Sequence, residues 1–252
     1  MSAARGLVFG TAAESYERFR LGYPDEVVDR TLNHAGPGVD TAVEVGAGTG
    51  KATRAFASRG IHVTALEPDP DMLFVLERET AGMPVEPVLS TLEDYVGPPT
   101  RLVYAGASWH WVDVARRLPA AASLLHPGGT LAIFGAPLQV ADPDLQAALA
   151  AIAGGAGESI ALRPPDTHWA SDPNPIDEQL RGSELFEDVE LHYLPRQLLL
   201  PKQDFVGYLS TLSSYLVRPW PEAQDLLRRI VEVVPEQVPV DLMVGLHLAR
   251  RR

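Results

Sequence analysis

The chain has 252 residues, 46% of them hydrophobic, which is enough for one large domain with a substantial core. Its 33 acids against 21 bases leave a net charge of −12, and no basic stripe is present to replace phosphate counterions, so neither a nucleic-acid partner nor an anionic membrane surface is expected. Cysteine is absent, which excludes disulfides and thiolate metal sites, and no stretch resembles a transmembrane span or a secretory signal; the expectation is a cytoplasmic protein with no membrane partner and no metal.

Along residues 9 to 34 the aromatic and apolar positions, among them Phe9, Tyr16, Phe19 and Tyr23, repeat at roughly helical spacing until Pro24. A second helix starts there, with Asp25 and Glu26 complementing its dipole. After a Gly36-Pro37-Gly38 turn, a strand over about Thr41 to Val45 runs into Gly46-Ala47-Gly48-Thr49-Gly50-Lys51. Glycines at alternate positions take positive φ and let a flat ligand lie against the main chain, at the first strand-to-helix turn where open α/β sheets bind ligands.

Spacing discriminates among the chemistries that use such turns. A dinucleotide fingerprint would need glycine where Lys51 or Thr53 stands, and a P-loop would need glycine at Val45 and a hydroxyl residue at Ala52. What remains is E-x-G-x-G-x-G from Glu44, with a further acid, Glu67, 17 positions after Gly50 at the end of the next strand. This resembles motif I of the class I methyltransferases that use S-adenosylmethionine. The resemblance implies that Glu44, Gly46, Ala47, Gly48 and Gly50 bind the methionine part, Glu44 placing charge near its ammonium end, and that Glu67, followed by Pro68, holds the ribose hydroxyls. The cofactor's single carboxylate suits the positive end of the helix that begins near Lys51.

The leader pattern F-x3-A-x2-Y-x3-R-x2-YP, from Phe9 to Pro24, is similar to that of the ubiquinone/menaquinone methylases and trans-aconitate methyltransferase. In that group the leader folds over the cofactor, which would bring Tyr16 and Arg20 to the methionine carboxylate. The alternative is an amphipathic packing helix with Arg20 in water.

Gly60 is a natural helix stop, and Ile61 to Leu66 reads as the second strand. Asp69 to Thr80 follows as a helix with Met72, Leu73, Val75 and Leu76 inward; Met72 either touches the adenine or is plain core. Pro84 to Leu89 is the third strand. Beyond it the relatives place an adenine-binding Asp, but here Ser90 or Thr91 stands, which leaves the adenine edge to backbone around Thr91 and Leu92, or to Glu93.

Leu102 to Ala105 is the fourth strand, and the stretch after it matches the relatives' A-x-H-W-x-D signature through Ser108, His110, Trp111 and Asp113. By that resemblance Ala107 to His110 would border the methyl group. His110, with an ordinary pKa of about 6.5, is either the general base or a ring that packs and orients the loop. Methyl transfer chiefly requires alignment, worth roughly 7 to 11 kcal/mol, to which a base adds typically ~100- to 10⁴-fold. Trp109 and Trp111 either face the sulfonium through cation–π attraction or are wall and core. Asp113 is placed to cap the following helix.

A helix over 115–125, a Pro127-Gly128-Gly129 turn and a fifth strand over 130–134 complete five βα repeats, which argue for a parallel sheet covered on both faces. Further on, 176–186 reads as a helix, 188–200 as a strand, 202–218 and 221–234 as two helices, and 241–249 as a closing antiparallel strand, while Arg250 to Arg252 read as a solvated tail. The resemblance implies a Rossmann-like, doubly wound, mostly parallel seven-stranded α/β sheet in the order 3-2-1-4-5-7-6.

The expected organisation is one domain over 1–252, with a helical leader over 1–36 and cap excursions at 137–175 and 201–236 around an acceptor pocket. Trp169, Tyr208, Tyr215 and Trp220 would line that pocket or pack the excursions onto the core. The implied activity is S-adenosylmethionine-dependent methyl transfer to a small organic acceptor. A non-catalytic binding or regulatory module is the alternative, and a nucleotide-dependent oxidoreductase a further one that the failed glycine registers oppose. Nothing in the sequence sets the oligomeric state.

Overall fold

From Thr41 onward, short Val-, Leu- and Ala-rich runs alternate with helices, and successive residues of each run are buried on opposite faces, the pattern of a parallel sheet covered on both sides. A computed structural model describes residues 9–152 and 174–252. Its leader comprises α1 (Ala13–Phe19) and α2 (Asp25–Ala35), the latter preceded by Pro24 as expected. There follow β1 (Thr41–Val45), α3 (Lys51–Ala57), β2 (His62–Glu67), α4 (Pro70–Glu79), β3 (Val85–Leu89), β4 (Thr100–Gly106), α5 (Arg117–Ser123) and β5 (Leu125–Gly135). The remainder is β6 (Leu138–Val140), α6 (Pro143–Ile152), α7 (Pro175–Arg181), β7 (Phe186–Pro201), α8 (Lys202–Ser210), α9 (Ser213–Leu216), α10 (Trp220–Val233) and β8 (Gln237–Arg251).

The sheet order is β3-β2-β1-β4-β5-β8-β6, with β7 on the other edge of β8. β1 to β5 are mutually parallel and β8 runs antiparallel to β5, β6 and β7. The expected 3-2-1-4-5-7-6 arrangement is therefore present, β8 and β7 taking its last two places, with the three-residue β6 as an addition. One face packs Val27 and Val28 of α2 and Phe56 of α3 against Ala42, Leu102, Tyr104 and Phe134. The other packs Leu118, Ala121 and Leu180 from α5 and α7 against Val43, Val103 and Leu131. A third cluster joins α6, α8, α9 and α10 to β6 and the first half of β8.

Several boundaries depart from expectation. Pro127-Gly128-Gly129 is not a turn between elements but lies within β5, where the pairing slips from Thr100↔Leu125 to Leu102↔Thr130 and Gly128 takes φ +75. Such an insertion lets a strand carry unpaired residues without ending. The single helix expected over 202–218 breaks at Thr211 and Leu212 into α8 and α9. Arg250 and Arg251 belong to β8 and are not a free tail: Arg250 Nε donates to Asp188 Oδ2 at 3.0 Å, and Arg251 donates to the Leu125 carbonyl. Asp113 receives the N–H groups of Ala115 and Arg116 at 2.9 and 3.1 Å, organising the turn before α5 rather than capping the helix itself. Among the described residues no helix is long and apolar enough to cross a membrane.

Candidate functional site

The glycine turn follows directly from the end of β1. Gly46, Gly48 and Gly50 have φ of +64, +60 and +90, a region that costs an L-residue energy. Two of them are also sterically required: a Cβ on Gly46 would meet Ser108 Cβ at 2.6 Å, and one on Gly50 would meet Leu76 Cδ1 at 2.7 Å. Gly48 differs, its nearest would-be neighbours being Met72 Cε at 3.7 Å and Tyr16 Cε1 at 3.9 Å. Gly50 is the N-cap of α3 in the left-handed conformation, and the Gly50 N–H closes the turn on the Ala47 carbonyl at 3.0 Å.

Two carboxylates flank this turn. Glu44 is buried, and its Oε2 accepts from Thr53 Oγ1 at 2.5 Å and Tyr104 Oη at 3.0 Å. Burial, only partly offset by those hydrogen bonds, pushes its pKa up to about 8. Near neutrality, with no cation beside it, it therefore carries a proton for much of the time. Glu67 Oε2 accepts from Gly48 N at 2.7 Å and Oε1 from Asp69 N at 2.9 Å, and burial pushes its pKa to about 7. In this conformation both of its oxygens are engaged by backbone.

A cavity of about 70 Å³ lies between the glycine turn, the leader and the cap. Tyr16, Arg20, Glu44, Gly46, Ala47, Gly48 and Ala107 all line it. Glu67, Pro68, Met72, Thr91, Leu92 and His110 are not among its lining residues. The leader closes one side of this space through Tyr16, Arg20 and Tyr23.

The leader is held over the turn by several polar contacts. Arg20 is not in water: Nε donates to Thr211 Oγ1 at 2.9 Å, Nη2 to the Thr211 carbonyl at 2.9 Å, and the guanidinium lies 5.0 and 4.8 Å from the rings of Tyr16 and Tyr208. Lys51 Nζ donates to the Glu17 carbonyl at 2.6 Å, Arg54 to Glu17 Oε1 at 2.7 Å, and Gly10 N to Asp69 Oδ2 at 3.0 Å. Met72 is buried against Ala13 and Val75, with Phe9 and Tyr16 beside them.

The remaining expected residues are more dispersed. Thr91 Oγ1 donates to Asp94 Oδ2 at 2.9 Å and accepts from Asp94 N at 3.2 Å, while Leu92 is buried with Trp109 and Val112. Ala107 adopts φ +57 at the end of β4 and its N–H donates to the Phe134 carbonyl at 2.7 Å. Trp109 is core, with Arg117 5.5 Å from its ring; Trp111 meets Phe9 edge-on at 5.9 Å. His110 is exposed on the short turn Trp109–Trp111, 4.5 Å from the Trp111 ring, and local desolvation followed by the Arg117 charge lowers its pKa. Of the four aromatics expected at an acceptor pocket, Tyr208 lines the cavity, Tyr215 is buried in the cap, Trp220 is exposed, and Trp169 lies outside the described residues.

Several lining residues were not singled out as site residues, among them Thr49, Tyr23 and Arg196. Thr49 is buried and its hydroxyl has no hydrogen-bond partner, although it stands in the middle of the motif. Tyr23 packs edge-on against Phe134 at 4.7 Å, and its pairing with Pro24 in the leader pattern was the available signal. Arg196, from the middle of β7, donates to the Gly22 carbonyl at 3.2 Å; nothing in its local sequence marks it. A cation at Arg20, an unpartnered hydroxyl at Thr49 and an open approach at Gly48 fit a ligand with a carboxylate at one end.

Residues 43–133, from β1 to β5, match the methyltransferase domain family. Over this stretch the chain is similar to that family. An uncharacterized methyltransferase of Mycobacterium tuberculosis is 40% identical over 130 residues, 50% of this chain and 51% of that protein, so the chain spans about half the length of that relative. A Dictyostelium discoideum protein named as a methyltransferase is 26% identical over 235 residues, 90% of this chain and 84% of the other. Among solved structures, a protein from Anaeromyxobacter dehalogenans named as a type II methyltransferase superposes with a TM-score of 0.62 at 22% identity, covering 92% of this chain and 98% of its own. A Haemonchus contortus phosphoethanolamine N-methyltransferase in complex with S-adenosyl-L-methionine gives 0.51 at 15% identity, over 94% of this chain and 56% of its own. What the chain shares with these two structures is the fold.

Proposed function

We propose that the protein is an S-adenosylmethionine-dependent methyltransferase acting on a small organic acceptor. The observation that carries this reading is the left-handed glycine turn, closed on itself and bordered by Arg20, Thr49 and the Glu67 carboxylate. When bound, S-adenosylmethionine supplies a methyl group on an electrophilic sulfonium.

The protein's own residues divide the work by position. Arg20, backed by Tyr16, and the backbone of Gly46, Ala47 and Gly48 would receive the methionine end, with Gly50 fixing the turn. Glu67 would exchange its Gly48 contact for the ribose hydroxyls. The β2–α4 junction at Pro68, with Met72, and the Thr91-Leu92 backbone would border the adenine. Tyr23, Arg196 and Tyr208 stand where an acceptor would enter, beside Ala107. Holding two reactants in line is worth roughly 7 to 11 kcal/mol, so a dedicated base is not required for substantial acceleration.

Titration with S-adenosylmethionine, followed by incubation with labelled cofactor and a metabolite panel, tests the reading. Saturable binding with transfer supports it, and absence of binding removes it. Binding without transfer would leave a cofactor-binding module, the reading that the position of His110 outside the cavity favours.

A further inference from the structure

At the opposite end of the strands from the glycine turn, α2, β5 and β7 converge on a group of side chains that methyl transfer does not use. His34, at the end of α2, is 8% exposed. Its Nδ1 is held by Thr130 Oγ1 at 2.9 Å, while Nε2 is buried without a hydrogen-bond partner and lies 3.8 Å from Asp188 Oδ2. Asp188 and Glu190 follow on β7, and one atom from each of the three residues lies within 4.8 Å of the other two.

We propose that His34, Asp188 and Glu190 bind a divalent transition-type cation such as Zn²⁺. A buried imidazole nitrogen aimed at two carboxylates, with its other nitrogen fixed by a hydroxyl, is the arrangement by which outer partners orient a metal-ligating histidine. One nitrogen and two oxygens suit Zn²⁺, Co²⁺ or Mn²⁺ better than Mg²⁺ or Ca²⁺, which prefer oxygen alone. Metal–ligand distances of about 2.1 Å place tetrahedral ligands roughly 3.4 Å apart. The carboxylate side chains of Asp188 and Glu190 are 53% and 45% exposed and free enough to close that gap by rotation.

Other charges face the same point. Arg250 Nε donates to Asp188 Oδ2 at 3.0 Å, and Arg250 also donates to the His34 carbonyl at 2.5 Å. His192 Nε2 contacts Glu190 Oε2 at 2.8 Å, and Arg30 Nη1 contacts His192 Nδ1 at 3.3 Å. The two arginines oppose a cation, which makes this a weaker site than a closed structural cage, and both ring nitrogens of His192 are engaged by Glu190 and Arg30.

Calorimetric titration of the untagged full chain with ZnCl₂ in chelator-free buffer tests this. The expected result is saturable binding of one ion per chain, weakened at least ~10-fold in the Asp188→Asn/Glu190→Gln double variant and unchanged in Glu67→Ala. The double variant alters exposed side chains only, so it decides the matter even where His34→Ala fails to fold. Absence of saturable binding, or equal affinity in the double variant, overturns the proposal; equal affinity would place the ion on other imidazoles such as His110 or His126.

Discussion

The Gly48 backbone N–H donates to Glu67 Oε2 at 2.7 Å, joining the glycine turn after β1 to the end of β2. The proposed cofactor would replace that internal contact with ribose hydroxyls. Glu67→Ala is expected to weaken S-adenosylmethionine binding by about 10- to 100-fold, from the ~1.5–3 kcal/mol carried by hydrogen bonds to a charged group, and Glu67→Gln by less. Calorimetric titration checks both, and wild-type affinity in Glu67→Ala would assign the carboxylate to turn closure alone.

Glu44 and Glu67 also make stability depend on pH. Burial raises their pKa values from 4.5 to about 8 and about 7, so between pH 4.5 and 8 the folded chain holds protons that the unfolded chain has released. Stability is then greatest at the acid end of that window for these two groups and falls as pH rises through it. Since a tenfold displacement of ionisation is worth ~1.4 kcal/mol, the two displacements together set an upper limit of about 8 kcal/mol on that fall. Glu44→Gln keeps a hydrogen-bond acceptor for Thr53 and Tyr104 and should flatten the slope, as measured by urea unfolding at several pH values.

The three glycines should not respond alike to alanine. Gly46→Ala combines positive φ with a 2.6 Å approach to Ser108 and should cost about 2–4 kcal/mol of stability. Gly48→Ala meets nothing closer than 3.7 Å and should cost ~1–2 kcal/mol while impairing cofactor binding by intruding on the approach face. Denaturant midpoints and cofactor titrations separate the two effects.

Arg20 joins the leader to the cap through Thr211 and Tyr208. Arg20→Met retains the aliphatic stem and removes the polar contacts, and should loosen α1 enough to raise amide exchange across residues 10–19 while weakening cofactor binding about tenfold. Thr211→Val should reproduce part of the loosening without touching the cofactor.

His110 is the candidate base that the turn after β4 suggested, yet it is exposed and outside the cavity. His110→Gln is accordingly expected to lower kcat less than tenfold, below the ~100-fold minimum typical of a lost general base, and to leave the pH–rate profile in place. A larger loss, with the acid limb of the profile removed, would restore the catalytic role.

The sheet order and the turn that positions the site were legible because both rest on local signals. Short apolar runs ending in Glu44-Val45-Gly46 or in Glu67 have one geometric outcome, and the left-handed glycines confirm it. The contacts around the site were not legible, because they join residues distant in sequence. Arg20 meets Thr211, Lys51 meets Glu17, and Arg196 reaches Gly22 across β7. The same applies to Glu44, whose charge state is set by burial beneath Tyr104 rather than by its neighbours in the motif. The bulge at Gly128 was hidden for a different reason: Pro-Gly-Gly ordinarily ends an element, and only pairing with β4 keeps this one continuous.

β8 contacts β5, β6 and β7 at once, its first half carrying Val238, Val240 and Leu242 into the cap and its second half carrying Val244, Leu246 and Leu248 into the sheet core. A cap built on the same strand as the sheet has no seam along which to melt alone. Heating should therefore give a single calorimetric transition in which the van't Hoff and measured enthalpies agree, rather than early loss of α8, α9 and α10.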